Sequence, residues 1–224
     1  MVKRIVLTGG PCAGKTTVLS KIEQDLRERG YKIFIVSESA TELIAGGITP
    51  HEDGVGMFNF QKLILSYQYQ KEEVYNRAVT ASKSDDIVII YDRGLLDNKA
   101  YVSELEFKMI LEDFSKVIGK NVSELDILDR YDMVIHLMTS AGNKGYSLDN
   151  NKARYESEEE AIKLDRRTMS CWIMHDNLHI VESTVNFEDK LNNVLELVHS
   201  CLGDTRGIKK REKIYNYNFC ESLV

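Results

Sequence analysis

The sequence has no surplus of basic charge: 29 Lys and Arg stand against 35 Asp and Glu, a formal net charge of −6. Phosphate backbones are bound mainly through lysine and arginine in bulk, so this balance argues against a nucleic-acid partner and leaves only small anions held locally. The four cysteines, at 12, 171, 201 and 220, contain no C-x-x-C pair. That excludes the usual structural-zinc spacing and fits a reducing compartment. No apolar run approaches the length of a membrane span, and the N-terminal one is too short for a signal peptide and is used up by the first predicted strand. The expectation is a cytoplasmic protein without a membrane span. Linker-like stretches, internal repeats and low-complexity segments are missing too, so the 224 residues suit one domain with at most an appendage.

What is present is sharper. Gly9-Gly10-Pro11-Cys12-Ala13-Gly14-Lys15-Thr16 fits G-x-x-x-x-G-K-[ST], the phosphate-loop pattern called Walker A. Its glycines let successive backbone N–H groups curl around an anion, and its lysine adds a point charge. The flanks agree. Lys3 to Leu7 form a predicted buried strand, Val18, Leu19, Ile22 and Leu26 recur at helical spacing, and Gly30 marks a helix stop. The loop thus delivers phosphates to a helix N-terminus, where unpaired N–H groups and the helix dipole favour negative charge. Lys15 is expected to bridge the β- and γ-phosphates and the Thr16 hydroxyl to ligate Mg²⁺, with Thr17 a helix residue near the α-phosphate. Cys12 is either an oxidation-sensitive thiol or a small filler of the loop.

Further along, the pattern alternates. Strands are predicted at Lys32–Val36, Ile87–Tyr91, Met133–Met138 and Leu178–Val181, with helices at Met57–Ala81 and Leu105–Ile118. The strands are near-continuous apolar runs, which signals a parallel sheet covered by helices on both faces. The expected architecture is a three-layer α/β sandwich with five parallel strands. In such sheets ligands bind at the carboxyl ends of the strands.

Those ends carry the remaining candidates. The third predicted strand runs into Asp92, from which a carboxylate reaches Mg²⁺ or its water, and Arg93, whose planar fork matches phosphate. A strand-terminal ion pair is the plainer reading of both. Asp97 either faces an acceptor or caps a helix. After the second strand, Ser39 and Glu42 have capping-box spacing, which explains Glu42 but not Glu38. Glu38 is therefore a candidate to take a proton from an acceptor hydroxyl or to grip a sugar. Beyond the fourth strand, "SLDNNKARYESEEEAIKLDRRT" begins as a polar loop and enters a helix at Ser157 with Glu160 in capping-box position. Arg154, Arg166 and Arg167 either form a lid that neutralises charge on a transferring phosphoryl group or lie on an exposed helix. The tail 203–224 is basic, then aromatic, with no place in the sheet. It is an arm, an extra strand or a partner-binding segment able to support a dimer, or a plain solvated tail.

On "VLTGGPCAGKTT", "VSESATELI", "YDRGLLDNKAY", "NKARYESEEEAIKLDRRT" and "LHIVESTVNFEDKL", residues 1–202 resemble the AAA-domain-type P-loop ATPase/kinase family. Its relatives include the nicotinamide riboside kinase part of NAD-regulator proteins and the P-loop domain of the TRP-like translocation-defect protein. The resemblance implies a P-loop NTPase fold with a helical lid. It makes Glu38, Asp92 and Arg93 acceptor-side residues, Arg154 and Arg167 lid residues, and Ser183 and Thr184 neighbours of the adenine. Nothing after the fifth strand is long enough for the helical lid domain of a ring-forming motor. GTP is the alternative nucleotide to ATP, although the chain has no N-K-x-D sequence. Two functions follow. One is a Mg-ATP-dependent kinase acting on a hydroxyl of a nucleoside-like small molecule. The other is an ATP- or GTP-binding regulatory module without an acceptor.

Overall fold

The computed structural model describes residues 1–140, 158–183 and 186–203. Five strands are present: β1 (Val2–Gly9), β2 (Lys32–Val36), β3 (Ile87–Asp92), β4 (Met133–Leu137) and β5 (Leu178–Val181). They form one sheet in the order β2-β3-β1-β4-β5 with every pairing parallel. Each strand is followed by helical structure: α1 (Lys15–Glu28) after β1, α2 (Ser39–Ala45) and α3 (Met57–Ala81) after β2. A 3-10 helix (Leu95–Tyr101), α4 (Glu104–Ile118) and α5 (Glu124–Leu128) follow β3, α6 (Glu158–Cys171) follows β4, and α7 (Phe187–Leu202) follows β5.

The apolar strands are explained by burial on both faces. Along β1, Val6 points into a core shared with α3, α4, α5 and Trp172, while Ile5 and Leu7 point into a second core formed with α1 and α7. Successive side chains of a strand alternate between faces, so a strand covered on both sides must be apolar throughout. The helix α1 buries Val18, Ile22 and Leu26, one stripe at helical spacing, and stops ahead of Gly30, whose φ of 88° is left-handed. Ser103 and Glu106 cap the start of α4 reciprocally.

The start of α2 differs from expectation. Ser39 is not its cap: Glu38 holds that position, and its side chain makes no capping hydrogen bond. Glu42 accepts instead from Ser37 Oγ, Lys71 Nζ and Tyr67 Oη at 2.5, 2.6 and 2.7 Å. Burial works against its charge, but these donors bring its pKa down to about 2. A charged ammonium is a stronger partner than a backbone N–H, so a residue from α3 displaced the local cap.

Behind β3 lies a buried polar network. Glu72 of α3 is fully buried and accepts from Arg130 Nε at 3.0 Å and from Tyr131 Oη at 2.8 Å, and Tyr131 Oη in turn accepts from the Leu95 N–H at 3.1 Å. Burial pushes the Glu72 pKa up to about 7, against the pull of Arg130. A carboxyl raised in the folded state binds a proton that the unfolded chain has released, so stability should fall as pH rises from about 4.5 to about 7. Glu72→Gln is expected to flatten that slope, measured as urea midpoints across the range. An unchanged slope would assign it to other groups.

Candidate functional site

Between β1 and α1 the chain makes a tight loop whose backbone admits few residue types. Gly9 has φ 141°, and a Cβ there would lie 2.1 Å from the Leu137 carbonyl oxygen. Gly14, at φ 82°, occupies the N-cap of α1, and Cys12 also takes a left-handed φ of 55°. Lys15 folds back over the loop, donating to the Gly9 and Gly10 carbonyls, each at 3.0 Å. Burial and the neighbouring Arg93 push its pKa down to about 7, with Glu38, Asp92 and Asp97 opposing. Thr16 and Thr17 stand exposed in the first turn of α1.

The loop is braced from behind by residues that the sequence did not single out. Asp165 of α6 accepts from the Gly10 N–H at 2.6 Å, Thr139 Oγ1 donates to the Pro11 carbonyl at 2.5 Å, and Lys190 of α7 donates to the carbonyls of Ala13 and Met138 at 2.9 and 2.8 Å. Burial works to raise the Asp165 pKa, but His136 and the backbone N–H groups of Gly10 and Thr139 bring it below the ordinary range. Burial brings Lys190 down to about 8. A faint signal for both was available. Asp165 sits in line with Ala161 and Thr168, and Lys190 with Val194 and Val198, so each is a charge on the buried stripe of its helix. Asp165→Ala would leave the buried Gly10 N–H without its acceptor. It is expected to lower stability by about 1–3 kcal/mol in urea unfolding at neutral pH. A loss below about 0.5 kcal/mol would mean that α6 does not brace the loop.

The carboxyl end of β3 lies against the same loop because β3 pairs directly with β1, opposing Leu7 and Asp92. The Asp92 pKa is raised by burial and by Glu38, with Lys15 and Arg93 opposing, and its Oδ1 is buried with no hydrogen-bond partner among the described residues. Arg93 takes a left-handed φ of 77°. Such a conformation costs a non-glycine residue roughly 1–2 kcal/mol. It is held by the Arg93 N–H donating to the Leu7 carbonyl at 3.1 Å and by Gln68 Nε2 donating to the Arg93 carbonyl at 3.0 Å. The twist turns the guanidinium toward β2, where Nε donates to Glu38 Oε1 at 3.2 Å, while Nη1 is buried without a partner. Burial disfavours the guanidinium's charge, but Tyr101, Asp97, Glu38 and Asp92 outweigh it and raise its pKa. Glu38 also accepts from Thr41 Oγ1 at 2.6 Å. Burial works against its ionisation, yet Arg93, Thr41 and Lys15 hold it below the usual carboxylate range.

Lys15, Glu38, Asp92 and Arg93 therefore form one electrostatic cluster beside the loop. Asp97 does not join it as a free acid. Its carboxylate accepts from Thr8 Oγ1 at 2.5 Å, Trp172 Nε1 at 2.8 Å and the Gly94 N–H at 2.9 Å, so it caps the 3-10 helix and ties β1 to Trp172, just past the end of α6. Arg167 donates to the Val102 carbonyl at 2.8 Å, and Ser183 Oγ to Ser140 Oγ at 3.3 Å. Arg154, Ser157, Thr184 and the tail beyond Gly203 lie outside the described residues.

The residues fit Mg²⁺. Thr16 and Asp92 supply the hard oxygens it prefers, and Asp92 Oδ1 has an unused lone-pair face. Among the described residues no three His, Cys, Asp or Glu side chains converge as a metal cage. An ion that keeps water and takes phosphate oxygens needs no such cage.

A glycine-rich loop at the end of a central parallel strand, leading into a helix N-terminus with an acid on the adjacent strand, defines a P-loop nucleotide-binding domain. A family model described as AAA domain matches residues 4–190, and the chain belongs to that family. A search of curated proteins finds no match. Among solved structures, the chain is similar to one described as the crystal structure of NadR protein in complex with NAD and AMP-PNP. The TM-score is 0.56 at 16% identity, over 96% of this chain and 52% of that one. This chain thus spans about half the length of that protein, and the likeness establishes a shared P-loop NTPase fold. No helix among the described residues is long and apolar enough to cross a membrane.

Proposed function

We propose that the protein is a P-loop kinase that transfers the γ-phosphoryl group of Mg-ATP to a hydroxyl of a small nucleoside-like molecule. The observation that carries the reading is the buried, unpartnered Arg93 Nη1, next to the ionised Glu38 and beside the phosphate loop. A domain that only holds a nucleotide has no use for a second polar site at the ends of β2 and β3. In transfer, the acceptor oxygen bonds to the γ-phosphorus, the bond to the β,γ-bridging oxygen breaks, ADP leaves, and the hydroxyl proton passes to Glu38. Lys15 neutralises the β- and γ-phosphates, and Arg93 orients the acceptor. Thr16 and Asp92 would hold Mg²⁺, which supplies charge neutralisation between the phosphates when bound. Ser183 and Thr184, after β5, would lie by the base, with GTP the alternative to ATP. A cytoplasmic setting and a dimer formed through the tail 203–224 belong to the same proposal.

Incubation with γ-labelled ATP and a metabolite pool should give a new labelled product. ATP or GTP hydrolysis as fast without any acceptor as with every one tried would favour a regulatory module instead. The lid arginines have their own test. Arg167→Ala should lower kcat more than it weakens ATP binding measured by calorimetry, because contacts to developing charge belong to the transition state. Arg167→Lys should keep a clear defect, since a point charge does not replace a two-oxygen fork. Arg154→Lys should be milder. An unchanged kcat would leave Arg167 only the anchoring of α6 at Val102.

A further inference from the structure

The phosphate-loop pattern leaves the position of Gly10 open, and its φ is not left-handed, so neither the pattern nor the backbone calls for glycine there. Space does. A Cβ on Gly10 would lie 2.6 Å from Asp165 Oδ1 and 2.7 Å from Asp165 Cβ. The Asp165 side chain of α6, only 3% exposed, thus occupies the place of a side chain at Gly10, and the Gly10 N–H donates to its carboxylate at 2.6 Å. His136 Nε2 stands 3.2 Å from the same oxygen.

A peptide is planar and trans, so its N–H and its C=O point in opposite directions. The Gly10 N–H shares its peptide with the Gly9 carbonyl. With the N–H held by Asp165, that carbonyl faces the other way, where Lys15 Nζ donates to it at 3.0 Å. A carboxylate on the N–H also polarises the peptide and makes its carbonyl a better acceptor. The same geometry recurs twice in the opposite sense. Thr139 Oγ1 holds the Pro11 carbonyl at 2.5 Å and Lys190 Nζ holds the Ala13 carbonyl at 2.9 Å. Both side chains are buried, so the N–H groups of Cys12 and Gly14 turn away from the interior. The loop therefore turns one carbonyl toward its lysine and two N–H groups away from the core. Residues 128 to 177 positions along the chain set that alternation.

We propose that Asp165, Thr139 and Lys190 are positioning residues that fix the peptide directions of the phosphate loop before a nucleotide arrives, with Asp165 setting, through the Gly9–Gly10 peptide, where Lys15 rests. The inference rests on the proposed function for the nucleotide at the loop, and not for the acceptor. Donors already turned toward an anion need no rearrangement when it binds. Losing a tether should therefore weaken triphosphate binding by the folded protein, in addition to any loss of stability.

The test is the Mg-ATP affinity of the full chain by calorimetry, with circular dichroism showing that each variant is folded. Asp165→Ala should weaken binding by about 10-fold, and Asp165→Asn, whose Oδ1 still accepts from the Gly10 N–H, should stay within about threefold of wild type. A merely structural aspartate would lower the unfolding midpoint and leave the ATP affinity of the folded protein unchanged. Gly10→Ala should weaken binding at least as much as Asp165→Ala, since its methyl group displaces the carboxylate. In the double variant that methyl group enters vacated space, so the loss should be no greater than in Gly10→Ala alone. Should Asp165→Ala fail to fold, Thr139→Val, nearly the same in shape, carries the same expectation by releasing the Pro11 carbonyl. Wild-type affinity in Asp165→Ala or Thr139→Val, an Asp165→Asn variant as weak as Asp165→Ala, or additive losses in the double variant overturns the proposal. ATP binding that depends on Asp165, with no labelled product from γ-labelled ATP, sustains it and removes the kinase reading. A labelled product formed by Asp165→Ala at the wild-type KM for ATP sustains the kinase and removes the positioning role.

Discussion

Lys15→Ala should lose at least about 10²-fold in nucleotide turnover and bind the triphosphate measurably more weakly, the scale for removing one group aimed at transferring charge. The lysine is the cation whose ammonium closes over the loop, 3.0 Å from the carbonyls of Gly9 and Gly10. Burial and Arg93 already hold its pKa down near 7, so its charge is held at a cost that a triphosphate relieves by supplying the opposing charge. Alanine removes that charge without touching the glycine geometry or the braces from Asp165, Thr139 and Lys190. The unfolding midpoint should therefore stay close to wild type while calorimetry shows weakened ATP binding. Turnover of the variant at the wild-type rate would mean that the loop is not the site.

Asp92→Asn should leave the fold and nucleotide affinity largely intact and reduce transfer by roughly 10²-fold or more. The substitution is nearly isosteric. It also relieves the repulsion from Glu38 that helps to raise the Asp92 pKa, so stability should be unchanged or slightly higher. What is lost is the oxygen that would ligate Mg²⁺ in the proposed transfer and the negative charge that, with Glu38, balances Arg93 and Lys15. Steady-state transfer kinetics with a separate ATP-binding isotherm resolves the two effects. Transfer within about threefold of wild type would show that Asp92 only pairs with its neighbours, as a strand-terminal acid does in many sheets.

The sequence by itself determined the sheet, its five strands and the phosphate loop. These are local or periodic properties: two-sided burial makes a strand apolar throughout, and Gly9, Gly14 and Lys15 must occur at fixed spacing for one loop to curl around phosphate. It also placed Asp92 and Arg93 at the carboxyl end of β3, where a run of apolar residues closes on charge. Other features were decided by tertiary structure, since each depends on a partner far along the chain. The Asp97 carboxylate had two open readings until Thr8 and Trp172, 89 and 75 residues away, were seen to occupy it as the cap of the 3-10 helix. Ser39 and Glu42 carried a valid local capping pattern, and Lys71 and Tyr67, brought over by α3, won Glu42 instead. The braces behind the loop come from 155 residues away at Asp165 and 177 at Lys190. A polar side chain on a buried helical stripe announces that it must have a partner, because an unpaired group in the interior is costly, but only the packing of α6 and α7 against the loop names that partner.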